Sequence, residues 1–86
     1  MKIEQLKTIL RKIQKCQAES LEFSNIDVDI SIGFAFFSCY IMDGGKIIKH
    51  YHFSSCFNDK ANRDLFHDFA ATFEGIKTGS RSLKLT

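Results

Sequence analysis

At 86 residues with a formal net charge of +2, the chain has room for one small domain and lacks the strongly basic footprint of a dedicated nucleic-acid binder. Hydrophobic residues make up 44% and charged residues 26%, a balance that excludes a disordered tail, and the nine phenylalanines supply an aromatic core. No apolar run reaches membrane-spanning length and the N-terminal segment is charged and amphipathic, so a cytoplasmic protein without membrane attachment is expected.

Apolar residues Ile3, Leu6, Ile9, Leu10 and Ile13 recur at helical spacing and predict a first helix from Lys2 to about Gln17. A turn follows around Glu22 to Asn25, with Leu21 and Phe23 alternating as a short strand would. Val28, Ile30, Ile32, Phe34, Phe36, Tyr40 and Met42 then share one parity, while Asp27, Asp29, Ser31 and Gly33 share the other. That period of two predicts a strand with one buried face, bulged or bent at Gly33. Asp43-Gly44-Gly45-Lys46 supplies the positive φ of a tight hairpin, and Ile47 to Phe53 returns as its partner strand.

Asn58 and Asp59 suit a helix N-terminus, after which Leu65, Phe66, Phe69, Ala70 and Phe73 run at helical spacing to a stop at Gly75. The pairs Asp59 with Arg63 and Lys60 with Asp64 mark the solvent face of that second helix. The fold expected is a small α+β domain of order α-β-β-α, or α-β-β-β-α if Leu21 and Phe23 open the sheet, with an antiparallel sheet packed by two helices. The domain spans residues 1–77, and residues 78–86 form a tail, flexible or a short edge strand through Leu83 and Leu85. The order of elements resembles the outline of double-stranded-RNA-binding domains, but Asp59 and Asp64 among Lys60 and Arg63 replace a basic cluster at the start of the second helix, and no membership is assigned.

A two-residue loop at Gly44-Gly45 sets Met42 opposite Ile47, Tyr40 opposite Lys49, Ser38 opposite Tyr51 and Phe36 opposite Phe53. The other side of the sheet then carries Phe37 beside His52, Cys39 beside His50 and Ile41 beside Ile48, more apolar than a solvated face should be. Phe37, Ile41, Ile48, His50 and His52 are therefore the candidate protein-binding residues, either at a homodimer seam or at a partner site. A covering helix, or the tail, would account for the same face without any binding role.

Cys39, His50 and His52 are also weighed as zinc ligands, with Cys56 or His67 as a fourth, and Cys39 with His50 as a nucleophile and its base. Neither has a recognisable motif, and no metal, cofactor or catalytic residue is assigned. Asp27 and Asp29 read as a solvated strand face. The three cysteines, Cys16, Cys39 and Cys56, are odd in number and without CxxC spacing, so reduced thiols are expected. Lys7, Arg11, Lys12 and Lys15 place a basic stripe on the first helix that could track phosphates or complement the helix dipole. The function expected is a non-enzymatic protein-binding module acting stoichiometrically, as an inhibitor, immunity-like or adaptor protein, of phage or mobile-element type. It is expected to dimerise; a nucleic-acid-binding accessory protein using the basic stripe is the alternative.

Overall fold

The computed structural model describes residues Lys2 to Gly79, in the order α1 (Lys2–Ser20), β1 (Ile26–Gly33), β2 (Phe36–Asp43), β3 (Lys46–Ser54) and α2 (Asp59–Gly79). The strands form one antiparallel sheet in the order β1-β2-β3. The chain is thus a small α+β domain with an antiparallel sheet and two helices. The third strand arises where the sequence reading put one long strand, not at Leu21 and Phe23.

The long strand is broken by a hairpin at Phe34-Ala35, across which Gly33 pairs with Phe36. Ala35 takes the positive φ of 61° that the turn demands. Alanine adopts that region only at a cost, so the turn carries none of the usual glycine or asparagine signal. The hairpin reverses parity: Val28, Ile30 and Ile32 pair with Ile41, Cys39 and Phe37, and paired residues share a face. Phe36, Tyr40 and Met42 consequently leave the core side to which a single strand would assign them. The second hairpin matches expectation, with Gly44 and Gly45 at φ 62° and 85° between Asp43 and Lys46, as a type I′ turn requires.

Both helices cover the same side of the sheet. Leu6, Ile9 and Ile13 of α1, Phe69 and Phe73 of α2, and Ile26, Val28, Phe37, Cys39, Ile41, Tyr51 and Phe53 of the sheet form one buried cluster. The helices run side by side in the same direction, since Gln5 meets Asn62, Lys12 lies over the Phe66 ring and Glu19 meets Lys77. Lys77 is also bonded to Glu74, and the two carboxylates, Glu19 foremost, raise its pKa.

Asn58 caps α2 by accepting a hydrogen bond from the Ala61 amide at 2.7 Å, as its position suggested. The helix then runs past the expected stop at Gly75 to Gly79. Gly75 keeps a helical backbone there because the apolar stripe continues on the far side of it, where Ile76 packs against the core. Thr78 and Gly79, assigned above to the tail, are therefore helical, and residues 80–86, with Leu83 and Leu85, lie outside the described residues.

Tyr51 joins β3 to α2, donating its hydroxyl hydrogen bond to Asp68 at 2.6 Å, with Thr72 Oγ1 3.0 Å away. Burial and the bond to Asp68 push the phenol up from 10 to about 12. Because the folded state holds this proton more tightly, the contribution is intact below pH 10 and is lost as pH rises to about 12. Urea midpoints measured across that range should fall more steeply in the wild type than in Tyr51→Phe. Equal slopes would assign the alkaline loss to other groups.

Candidate interaction surface

With both helices on one side, the other side of the sheet is left without a covering element among the described residues. Four cross-strand rows build it: Asp27, Met42 and Ile47; Asp29, Tyr40 and His50; Ser31, Ser38 and His52; and Gly33, Phe36 and Ser54. The rings on this face are ordered by one another. Tyr40 and His50 stack with centroids 4.5 Å apart and planes within 8°, while His52 contacts Phe36 at 5.2 Å and the edge of Phe57 at 6.0 Å. Ser38 Oγ lies 2.9 Å from His52 Nδ1 and fixes that imidazole.

Phe36 lies across Gly33 so closely that a Cβ there would stand 2.2 Å from the ring. Glycine is what lets this aromatic lie flat over the neighbouring strand. Ile47 remains 60% exposed and Phe34, at the tip of the first hairpin, 95% exposed. The result is a continuous aromatic, histidine and aliphatic surface bordered on β1 by the exposed carboxylates of Asp27 and Asp29.

The five candidate binding residues are divided between the two faces. His50 and His52 are exposed on the open side, but Phe37 at 3% exposure and Ile41 at 0% lie beneath the helices. Phe37 stacks on Phe53 at 4.8 Å. The cause is a bulge: Met42 faces Ile47 as expected, but the register then steps, so that Ile41 pairs with Lys49, Tyr40 with His50, Ser38 with His52 and Phe37 with Phe53. Ile48 is the extra residue, exposed and without a register partner. One inserted residue exchanges the faces of everything beyond it.

The same step separates the thiol from the histidines. Cys39 pairs with Tyr51 on the helix side and is fully buried, while His50 and His52 point the other way. The Cys39-His50-His52 metal set and the Cys39-His50 catalytic pair therefore do not assemble, and no group of three or more histidine, cysteine or acidic side chains converges as a metal site among the described residues. Burial foremost, with Cys16 nearby, pushes the Cys39 thiol up to about 12, so it stays a protonated small hydrophobe. Native protein should react with a thiol reagent at exposed Cys56 and at Cys39 only on unfolding. Prompt labelling of both would contradict this packing.

Tyr40, Phe36, Met42, Ile47 and Phe57 are the members of the open face that sequence reasoning missed. The usable signal lay in β1, where Asp27, Asp29 and Ser31 mark the solvent side. Pairing those residues across a turn at Phe34-Ala35 would have placed Tyr40 and Phe36 beside them.

On the helix side, Lys7, Arg11, Lys12 and Lys15 are all exposed on α1. Lys7 pairs with Glu4 at 3.7 Å, and Lys12 edges a groove of about 400 Å³ that Arg63, Phe66 and His67 of α2 also line. Among the described residues no helix is long and apolar enough to cross a membrane. No protein-family model, curated protein or solved structure matches this chain.

Proposed function

We propose that this chain is a small, non-enzymatic protein-binding module that acts stoichiometrically, and that the open sheet face is its binding surface. The observation that carries the reading is the Tyr40-His50 and Phe36-His52-Phe57 ring array, left uncovered because both helices pack on the opposite side. Aromatic and methionine side chains are enriched where proteins meet, and monomers seldom leave such a surface exposed. Bases can also stack on exposed rings, but that mode needs flanking cations for the phosphates. This face has Asp27 and Asp29 along one edge instead. An inhibitor, immunity-like or adaptor role in a cytoplasm, of phage or mobile-element type, fits a module with a surface left uncovered among the described residues.

A second reading rests on the exposed cations Lys7, Arg11, Lys12 and Lys15 of α1, of which Lys12 reaches the groove that Arg63 and His67 also line: nucleic-acid backbone bound along the first helix. One experiment separates the two. Immobilised wild type, Tyr40→Asp and Arg11→Glu are challenged with extract of the source cells before and after nuclease treatment. Protein captured by wild type and Arg11→Glu but lost by Tyr40→Asp supports the sheet face. Nuclease-sensitive capture lost only in Arg11→Glu supports the second reading, and equal retention by the wild type and both variants contradicts both.

A further inference from the structure

We infer that the occupant of the open sheet face is a second copy of this chain, related by a twofold axis that runs between the two sheets, parallel to the strands. The inference rests on the sheet-face reading above and names its partner. The argument is the order of chemistry across the sheet: carboxylates on β1, aromatics on β2 and imidazoles on β3, in the rows Asp29-Tyr40-His50 and Ser31-Ser38-His52.

Two copies of one sheet stacked face to face admit two kinds of twofold axis in the plane between them. An axis perpendicular to the strands lays β1 over β1 in reversed order, gathering the Asp27 and Asp29 carboxylates of both copies on one flank of the interface and the imidazoles of both on the other. Like charges so placed oppose association. An axis parallel to the strands lays β2 over β2 and β1 over β3. Asp29 then faces His50 of the second copy, Ser31 faces His52, Asp27 meets Ile47 at the end of the face, and Phe36, Tyr40 and Met42 close on their own counterparts along the axis. Nearly aligned strands at a separation of about 10 Å are the ordinary geometry of stacked sheets, and side chains of these lengths meet across it. Gly33, with no side chain, leaves room for the Phe36 rings.

Three strands of this length offer a footprint of roughly 400 Å² on each copy. At about 800 Å² in total that lies below the standard range and in the class of weak, transient interfaces, so the dimer should be reversible, with a dissociation constant no tighter than about micromolar.

Sedimentation equilibrium of the full chain tests the arrangement, with circular dichroism confirming that each variant folds. The wild type should be a monomer-dimer mixture, and Tyr40→Asp a monomer. His50→Glu, which sets a carboxylate opposite Asp29, should weaken the dimer by at least about tenfold. The double variant Asp29→Arg with His50→Glu re-forms opposite charges in both symmetry-related pairs and should return to within about threefold of wild type. No rescue would overturn the axis, and dimers indifferent to Tyr40→Asp and His50→Glu would overturn the face. A wild type that is monomeric up to millimolar concentration overturns the self-pairing. In that event, loss of extract capture in Tyr40→Asp preserves the sheet-face reading with a different occupant, and unchanged capture removes both.

Discussion

Phe37→Asp is expected to prevent folding, whereas Tyr40→Asp, on the same strand, is expected to leave the domain folded and remove its association. Phe37 stacks on Phe53 inside the cluster closed by both helices, with only 3% of its surface exposed. Truncating a buried phenylalanine costs about 3–5 kcal/mol, and an unpaired buried carboxylate costs several kcal/mol more. A chain of this length has a total margin of only about 4–13 kcal/mol. Tyr40 lies on the uncovered side against the His50 ring, so its replacement loses one stacking contact worth about 1 kcal/mol. Circular dichroism melts of the two variants give a direct comparison. A folded Phe37→Asp would mean that the faces of β2 are reversed.

Asn62→Leu should lower stability by about 1–3 kcal/mol, although it replaces a polar side chain with an apolar one in a fully buried site. The Asn62 amide works as a strand neighbour for the last residue of β3, donating to the Ser54 carbonyl at 3.0 Å and accepting from the Ser54 amide at 3.3 Å. It also donates to Gln5 Oε1 at 3.3 Å, and Gln5 Nε2 donates in turn to the Asp59 carbonyl at 2.8 Å. This one side chain therefore ties together β3, α2 and α1. Leucine leaves the Ser54 N–H buried without its acceptor and the Ser54 carbonyl with the Phe57 amide as its remaining donor, a larger loss than the burial of a few methyl groups returns. Gln5→Ala, removing the two outer bonds at a less buried position, should cost only about 1 kcal/mol. Urea midpoints ranking Asn62→Leu above Gln5→Ala in stability would show that the amide is not the latch.

The helices and the Gly44-Gly45 hairpin were legible because each follows from local chemistry. Periodic leucine, isoleucine and phenylalanine mark the helices, Asn58 caps the second, and paired glycines suit a type I′ turn. Two single-residue events were not legible. The Phe34-Ala35 turn puts alanine at positive φ, against local preference, and the bulge at Ile48 leaves no mark in the sequence. Each event inverts the side-chain pattern downstream, so reading Val28 to Met42 as one strand and its partner as unbulged led to a wrong assignment of faces. His50 and His52 kept exposed positions, while Phe37 and Ile41 exchanged places with Tyr40 and Phe36. Asn62 was missed for a different reason: on a helix an asparagine reads as a surface residue, and the end of β3 and Gln5 of α1, distant in sequence, supply the partners that let it be buried.

The most direct test of the sheet face as the binding surface is amide NMR of nitrogen-15-labelled protein over a dilution series from millimolar to micromolar. Concentration-dependent shifts should gather at Phe36, Ser38, Tyr40, Met42, Ile47, His50 and His52, and should vanish in Tyr40→Asp. Shifts gathered instead at Lys7, Arg11 and Lys15, or a spectrum indifferent to concentration, would contradict self-association through this face.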